Sequence, residues 1–418
     1  MPNEQLTHSQ RWTERLNASI PWGSSTGSKA PQYAPEEPGV IVRGDGCRVW
    51  DADGRDYIDF RNGLGPVTLG YRYPAVNEAI REQLEHGIVF GHPHPLEGEV
   101  AEMFCELVPC AEQARFLKTG GEAIAATIRL ARAFTGRDHI VQIGYNGWLN
   151  GLAVGGATLP DRTTAVLPGV PHALSALHHA CRWNDIAGLE KLFAEYDGRI
   201  AAVIVAANYP DMEAGHAFYP ALRELTAKHG SLLVYDEIVT GFRIAIGGAQ
   251  QYFGVVPDLA VFSKGIANGM PLSVYAGKQE IMSCCAPGKV SISSTFGGET
   301  LSLAAAKACM NVYKQQDVVG FLWKQGEAMW GGLQRLFEQY GVPIALRGFW
   351  PCPSLAGQGV EGAAALKRFF RLAYKHGVSM YNTSYVNFSH RDEHIEEALN
   401  RLDRACKEYT ETMEGEAK

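Results

Sequence analysis

Between residues 74 and 280 the chain alternates two patterns. Short apolar runs at 139–143, 201–206, 231–235, 258–262 and 272–276 predict strands. Between them, stretches at 96–108, 121–135, 185–196 and 217–229 repeat apolar residues at three- and four-residue spacing and predict helices. Strands this apolar have no side to offer water, so both faces are covered, and a largely parallel sheet flanked by helices follows. Ahead of this region, residues 1–35 predict a short helix and then a polar stretch. Residues 40–60, VIVRGDGCRVWDADGRDYIDF, alternate apolar and polar positions around Asp-Gly turns at 45–46 and 53–54, which predicts a small β-meander. Behind it, 300–340 reads as one long helical stretch, followed by helices over 362–375 and 392–410 and a strand near 384–388. The expected fold class is α/β, a large domain with a mostly parallel sheet plus a smaller α+β terminal domain. Residues 1–60 form an N-terminal segment packing with the small domain, 61–310 the large domain and 311–418 the small one.

Composition narrows the function. With 46% hydrophobic and 20% charged residues over 418 positions, the chain is an ordinary globular protein rather than a disordered or fibrous one. Its 38 basic and 45 acidic residues give a net charge of −7, and no run of Lys and Arg appears, so a nucleic-acid partner is not expected. No apolar stretch approaches the roughly 20 residues that span a bilayer, and the start, MPNEQLTHSQRWTERLNAS, lacks an apolar signal core. No membrane association and a cytoplasmic location are expected. The nine cysteines are scattered without a CxxC pair, which argues against zinc ribbons and disulfide frameworks and for reduced, mostly buried thiols.

In an open α/β sheet, ligands gather beyond the carboxyl ends of the strands, and the residues there carry the candidate chemistry. SLLVY is followed by Asp236-Glu237-Ile238-Val239-Thr240-Gly241-Phe242, and LAVFS by Lys264-Gly265-Ile266-Ala267-Asn268-Gly269. A strand-end acid is commonly a turn cap and a lone lysine a solvated one; together, from neighbouring strands, they form a pair that shapes a cofactor. Lys118-Thr119-Gly120-Gly121-Glu122 opens a helix and exposes backbone N–H groups, a ready phosphate site. Gly144-Tyr145-Asn146-Gly147-Trp148 places an aromatic ring at the same rim, and Ser293-Ser294-Thr295-Phe296-Gly297-Gly298-Glu299-Thr300 is a hydroxyl-rich loop entering a helix. Pyridoxal 5'-phosphate needs these parts: an amine for a Schiff base, a carboxylate for its pyridine nitrogen, a helix terminus for its phosphate and a flat ring against its face.

The motifs DADGRDYIDF, LVYDEIVTGFR, PDLAVFSKGIANGMPLS and SSTFGGETLSLAAA resemble those of the class III aminotransferases, fold type I pyridoxal-phosphate enzymes, and above all the glutamate-1-semialdehyde aminomutase branch. The likeness runs from about residue 20 to 410. It implies a fold type I transferase whose large domain, 61–310, binds pyridoxal phosphate. It implies Lys264 as Schiff-base lysine and proton shuttle, Asp236 as partner of the pyridine nitrogen, Ile238 and Tyr145 on the two ring faces, and Gly120 and Gly121 at the phosphate. Thr295 would reach the phosphate of a partner subunit, so a homodimer with shared sites is implied, acting on a small-molecule amino donor and a carbonyl acceptor.

Three positions depart from the family pattern. Asn146 stands where Tyr-His-Gly is common, Ala206-Ala207 where a Glu-Pro usually follows the 201–205 strand, and Gly121 where Ser or Thr usually lies in the phosphate cup. None touches Lys264 or Asp236, so cofactor binding is expected to survive and substrate choice to change. A catalytically degenerate protein of the same fold is the alternative that the departures raise and the intact Lys264 and Asp236 oppose. In the aminomutase an arginine of the N-terminal segment holds the substrate carboxylate; the resemblance implies Lys29 in that place, the alternative being an ordinary solvated loop lysine. A lysine lacks the bidentate grip of arginine, so another aldehyde or ketone is expected as substrate, with intramolecular amino transfer as the alternative reaction.

Other motifs fall short. Gly23-Ser24-Ser25-Thr26-Gly27 matches a hydrolase pattern by letter but lacks the strand before and helix after it. His390-Arg391-Asp392-Glu393-His394 matches a zinc pattern, yet its first histidine falls at or before the helix cap, so no metal is expected. His92, His94, His178 and His179 read as rim or surface residues, and neither a dinucleotide fingerprint nor a Walker lysine is present.

Overall fold

The computed structural model describes residues 6–147, 168–207 and 209–416; Trp148 lies outside them. The chain forms two compact units, one of Pro74–Val319 and one of Met1–Tyr73 with Gly320–Lys418.

In the second of these, the meander forms as β1 (Ile41–Asp45), β2 (Arg48–Asp51) and β3 (Asp56–Asp59), paired antiparallel in that order. Gly46 and Gly54 turn the chain with φ of 55° and 85°, values that glycine adopts at no steric cost. The N-terminal helix, His8–Ser19, starts at a capping box in which Thr7 and Gln10 bond each other's backbone N–H.

The larger unit is built on seven strands: β4 (Gln113–Leu117), β5 (His139–Ile143), β6 (His178–Cys181), β7 (Ile200–Ala206), β8 (Leu232–Asp236), β9 (Leu259–Phe262) and β10 (Ser273–Gly277). Their order across the sheet is β4-β10-β9-β8-β7-β5-β6. Only β10 runs against its neighbours, so β4, β5, β7, β8 and β9 all end at the same edge. Every residue of β8, β9 and β10 is buried, as their unbroken apolar runs require. The helix Gly120–Thr135 covers one face. Its Ile124, Ile128 and Leu130 belong to one buried cluster with Ile204, Val234, Val261 and Tyr275. On the helix Pro95–Leu107, Phe104 meets Phe262 edge-on at 5.1 Å.

The sequence pattern needs five corrections, the first of which is that His178, expected at the rim or surface, is buried on β6. β4 (QARFL) and β6 (HHAC) were not expected; both lie at sheet edges, and their polar Gln113, Arg115, His178 and His179 break up the apolar run that marks a central strand. The stretch 300–340 is two helices, Thr300–Gln315 and Val318–Tyr340, because Gln316 adopts extended backbone at φ −135° and ψ 144°. The short strands β11 (Ile344–Arg347) and β12 (Ser354–Gly357) pair antiparallel in a region read without strands. Finally, 384–388 is not a strand: its N–H groups bond separately to Pro353, Phe60, Pro351 and Thr68 carbonyls instead of one ladder. The strand of that region is β13 (Val378–Ser379), which joins β3 in parallel.

Six of the nine cysteines are buried and three half-buried, all as free thiols. The helix Asp392–Glu416 begins after His390, so His390 and His394 do not share a helical face. Gly23–Gly27 sits among short turns rather than at a strand-to-helix elbow. Among the described residues no helix is long and apolar enough to cross a membrane.

Candidate active site

β8 delivers Asp236 to the sheet edge, and register pairs it with Ala206 at the end of β7. Its side chain is buried and doubly held: Oδ1 accepts from the Ile238 N–H at 3.0 Å and Oδ2 from Asn146 Nδ2 at 3.3 Å. Burial pushes the carboxyl up to about 6, opposed by these two donors and by the charge of Lys264, which favour the ionised form.

Lys264 follows β9, the neighbour of β8, and is half-buried. It opens the short turn Lys264–Ala267 at φ 45°, a left-handed conformation that a side chain with a Cβ adopts only at a cost. The turn is held by Ser263, whose Oγ donates to the Leu272 carbonyl at 2.7 Å and whose carbonyl accepts from the Ile266 N–H at 3.3 Å. The lysine and carboxylate read from strand ends thus meet electrostatically.

Gly120 and Gly121 open the helix Gly120–Thr135 behind the cap Thr119, with Glu122 closing a capping box. A Cβ at Gly120 would overlap Ile238 Cδ1, so the helix terminus lies directly against the Asp236–Ile238 turn. A Cβ at Gly147 would come within 3.2 Å of Gly121 Cα, which brings the Gly144–Gly147 loop to the same place. In that loop Asn146 is fully buried while Tyr145 is 67% exposed. Packing in the core, the ordinary fate of a tyrosine, is therefore not what holds Tyr145; its ring is left free to cover a ligand. Partial desolvation of its phenol and the neighbouring Asp236 charge both raise its pKa.

Thr295 is exposed on the loop that leads to the helix Thr300–Gln315. Glu299 caps that helix, accepts from the Leu301 N–H at 2.6 Å and pairs with Lys118 at 2.7 Å. Burial raises the Glu299 carboxyl, but Lys118 and Ser302 outweigh it and hold the group below its ordinary range. Lys29 lies in the other unit, exposed at the rim of a cleft of about 360 Å³ lined by Glu37, Asp59, Arg61, Tyr71 and Tyr374.

The sequence reading assigned no role to Glu237. Its fully buried carboxylate accepts from the Thr240 hydroxyl, from the Ala249 N–H at 2.7 Å and from the Gln250 N–H at 3.0 Å. Burial pushes it up to about 7 against these donors. It ties the turn after β8 to the next helix and so fixes Asp236 and Ile238. Its signal was the second acid of Asp-Glu, which strand alternation turns to the opposite face.

A helix-covered, mainly parallel sheet that presents a lysine, a buried carboxylate and a glycine-opened helix terminus along one edge defines a fold type I pyridoxal-phosphate enzyme. The chain belongs to the class III aminotransferase family, whose model matches residues 31–406. It is 36% identical to the glutamate-1-semialdehyde 2,1-aminomutase of Pelotomaculum thermopropionicum over 94% of this chain and 95% of that one. It is 34% identical to the enzyme of the same name from Persephonella marina, over 89% and 92%. The FumI protein of Sphingopyxis sp. MTA144, solved in a PLP internal aldimine form, superposes with a TM-score of 0.87 at 26% identity, covering 96% of this chain and 95% of that one.

Proposed function

We propose that this chain moves an amino group between a small-molecule donor and an aldehyde or ketone acceptor with pyridoxal 5'-phosphate held on Lys264. The observation that supports the assignment of residues is that buried Asp236 ends β8 and Lys264 follows the end of its parallel neighbour β9. The cofactor fits what is there: a helix terminus where Gly120 has no room for a Cβ, a carboxylate with a donor on each oxygen, and an exposed ring beside it. When bound, it supplies an aldehyde for amines and a ring that takes up electrons from the substrate carbon.

The chain's own groups do the rest. Lys264 Nζ would hold the cofactor through its amine and, when free, would take up and return a proton as general base and then acid. Asp236, ionised, would hold a proton on the cofactor's ring nitrogen. Backbone N–H groups of Gly120 and Gly121 hold the phosphate. Ile238 and Tyr145 cover the two faces of the ring. Thr295 reaches the phosphate bound by a partner subunit, so the working form is a homodimer, and the protein acts in the cytoplasm. Lys29 contacts the substrate's acidic group as a point charge.

The relatives at 34–36% identity, named as aminomutases, favour a second reading in which the amino group is retained and returned to the same molecule. Glutamate semialdehyde supplied without any amino donor separates the two: rapid formation of 5-aminolevulinate selects the aminomutase. Visible absorption of protein loaded with pyridoxal phosphate tests the shared core. A yellow band is expected in wild type, fixed by borohydride onto Lys264 and missing from Lys264→Ala. A well-folded wild type that develops no band overturns the assignment.

A further inference from the structure

Asn146 occupies the place where the family's Tyr-His-Gly pattern puts histidine, and the structure gives it a specific partner. Its amide Nδ2 donates to Asp236 Oδ2 at 3.3 Å, and both side chains are buried. The loop that carries it is pinned at both ends: Gly144 turns at φ 78° against the end of β7, and Gly147 at φ 89° abuts Gly121. Asp236 is faced by the N–H of Ile238 within its own turn, by Lys264 from the end of β9, and by Asn146 and Tyr145 from this loop.

We propose that Asn146 is the positioning residue for Asp236, holding the carboxylate toward the cofactor nitrogen through a neutral donor that does not titrate. The proposal rests on the cofactor assignment above. Its chemistry follows from the donor inventory. A carboxylate has about four lone-pair directions, and one donor on each oxygen leaves capacity for a pyridinium N–H. A histidine there would change charge near neutral pH, whereas an amide gives the same hydrogen bond at every pH. Loss of the donor leaves Lys264 and Ile238 to oppose burial, and the carboxyl then protonates at higher pH.

The test uses holoenzyme of wild type, Asn146→Ala and Asn146→His. Pyridoxal-phosphate affinity is read by equilibrium dialysis and the pH response by the bound cofactor's visible spectrum. Asn146→Ala is expected to bind the cofactor roughly 10- to 100-fold more weakly, the range for a hydrogen bond to a charged group. Its acid-side spectral transition moves up by about one pH unit. Asn146→His restores affinity to within a few-fold and adds a second transition from the imidazole, which burial pushes down and the Asp236 charge pushes up. Wild-type affinity and an unmoved transition in Asn146→Ala overturn the proposal, as does an Asn146→His variant no better than alanine. If melting of the cofactor-free proteins shows that Asn146→Ala does not fold, the added transition in Asn146→His decides alone, present for the proposal and absent against it. A wild type without any cofactor band overturns the assignment beneath it and the proposal together, while a wild-type band with unchanged affinity and an unmoved transition in Asn146→Ala overturns the proposal alone.

Discussion

At the scale of single residues, Asp236 is held where it opposes folding. An acid whose pKa is higher in the folded chain than in the unfolded one keeps its proton better when folded. Its ionisation therefore opposes folding increasingly from pH 3.8 to about 6 and by a constant amount above. Cofactor-free Asp236→Asn is thus expected to be more stable than wild type at pH 8, by up to about 3 kcal/mol. On the proposed assignment the same change lowers turnover about 100-fold or more, since the cofactor's ring nitrogen would lose its charged partner. Urea midpoints and initial rates check both halves; an asparagine variant less stable than wild type at pH 8 contradicts the burial argument. Lys264 and Asp236 were legible because they close apolar strands beside glycines. Asn146 was legible only as a departure, since its bond to Asp236 depends on a loop conformation that no local spacing encodes. Tyr145 was legible as an aromatic at the rim, but its exposure was not.

At the scale of elements, the turn after β8 depends on Glu237. The carboxylate gathers one hydroxyl and two backbone N–H groups, and Gly248, at φ 70°, lies so close that a Cβ would overlap Glu237 Oε2. Gly248→Ala meets two costs at once, left-handed backbone and displacement of a buried acceptor, of about 1–3 kcal/mol each. A large fall in melting temperature is expected, together with weaker cofactor binding because Ile238 and Asp236 share that turn. A variant that melts with wild type would show that the turn yields without strain. Central strands were readable because burial on both faces demands continuous apolar sequence. Edge strands β4 and β6, and the two-residue β13 that joins β3 from far along the chain, were not, because their pairing is decided by distant partners.

For the whole molecule, buried histidines and buried carboxyls oppose each other in the response to acid. His178 and His179 in one unit and His390 in the other are desolvated, with pKa values of about 3, 4 and 3 against 6.5 unfolded. Between pH 6 and 4.5 the unfolded chain therefore binds three protons that the folded chain refuses. Glu237 and Asp236 act in the other direction. Folded, they keep protons up to about 7 and about 6, while unfolded they release them above 4.5 and 3.8. Three against two leaves the unfolded state ahead by about one proton, so stability rises with pH through this window by roughly 1.4 kcal/mol per unit and is lost as the solution is acidified. The three histidines acting alone would give about three times that slope. Half-buried His179 contributes less than the other two, and the lowered His139 and His394 add in its direction. Variants separate the two sets. His178→Gln removes one refused proton and flattens the dependence, while Asp236→Asn removes one retained proton and steepens it toward about 2.7 kcal/mol per unit. Urea unfolding of the cofactor-free proteins at pH 6.0, 5.5 and 5.0, within the window where the signs oppose, reads the slopes directly. Slopes that move in the same direction in both variants would show that the buried histidines and carboxyls do not balance each other as this fold requires.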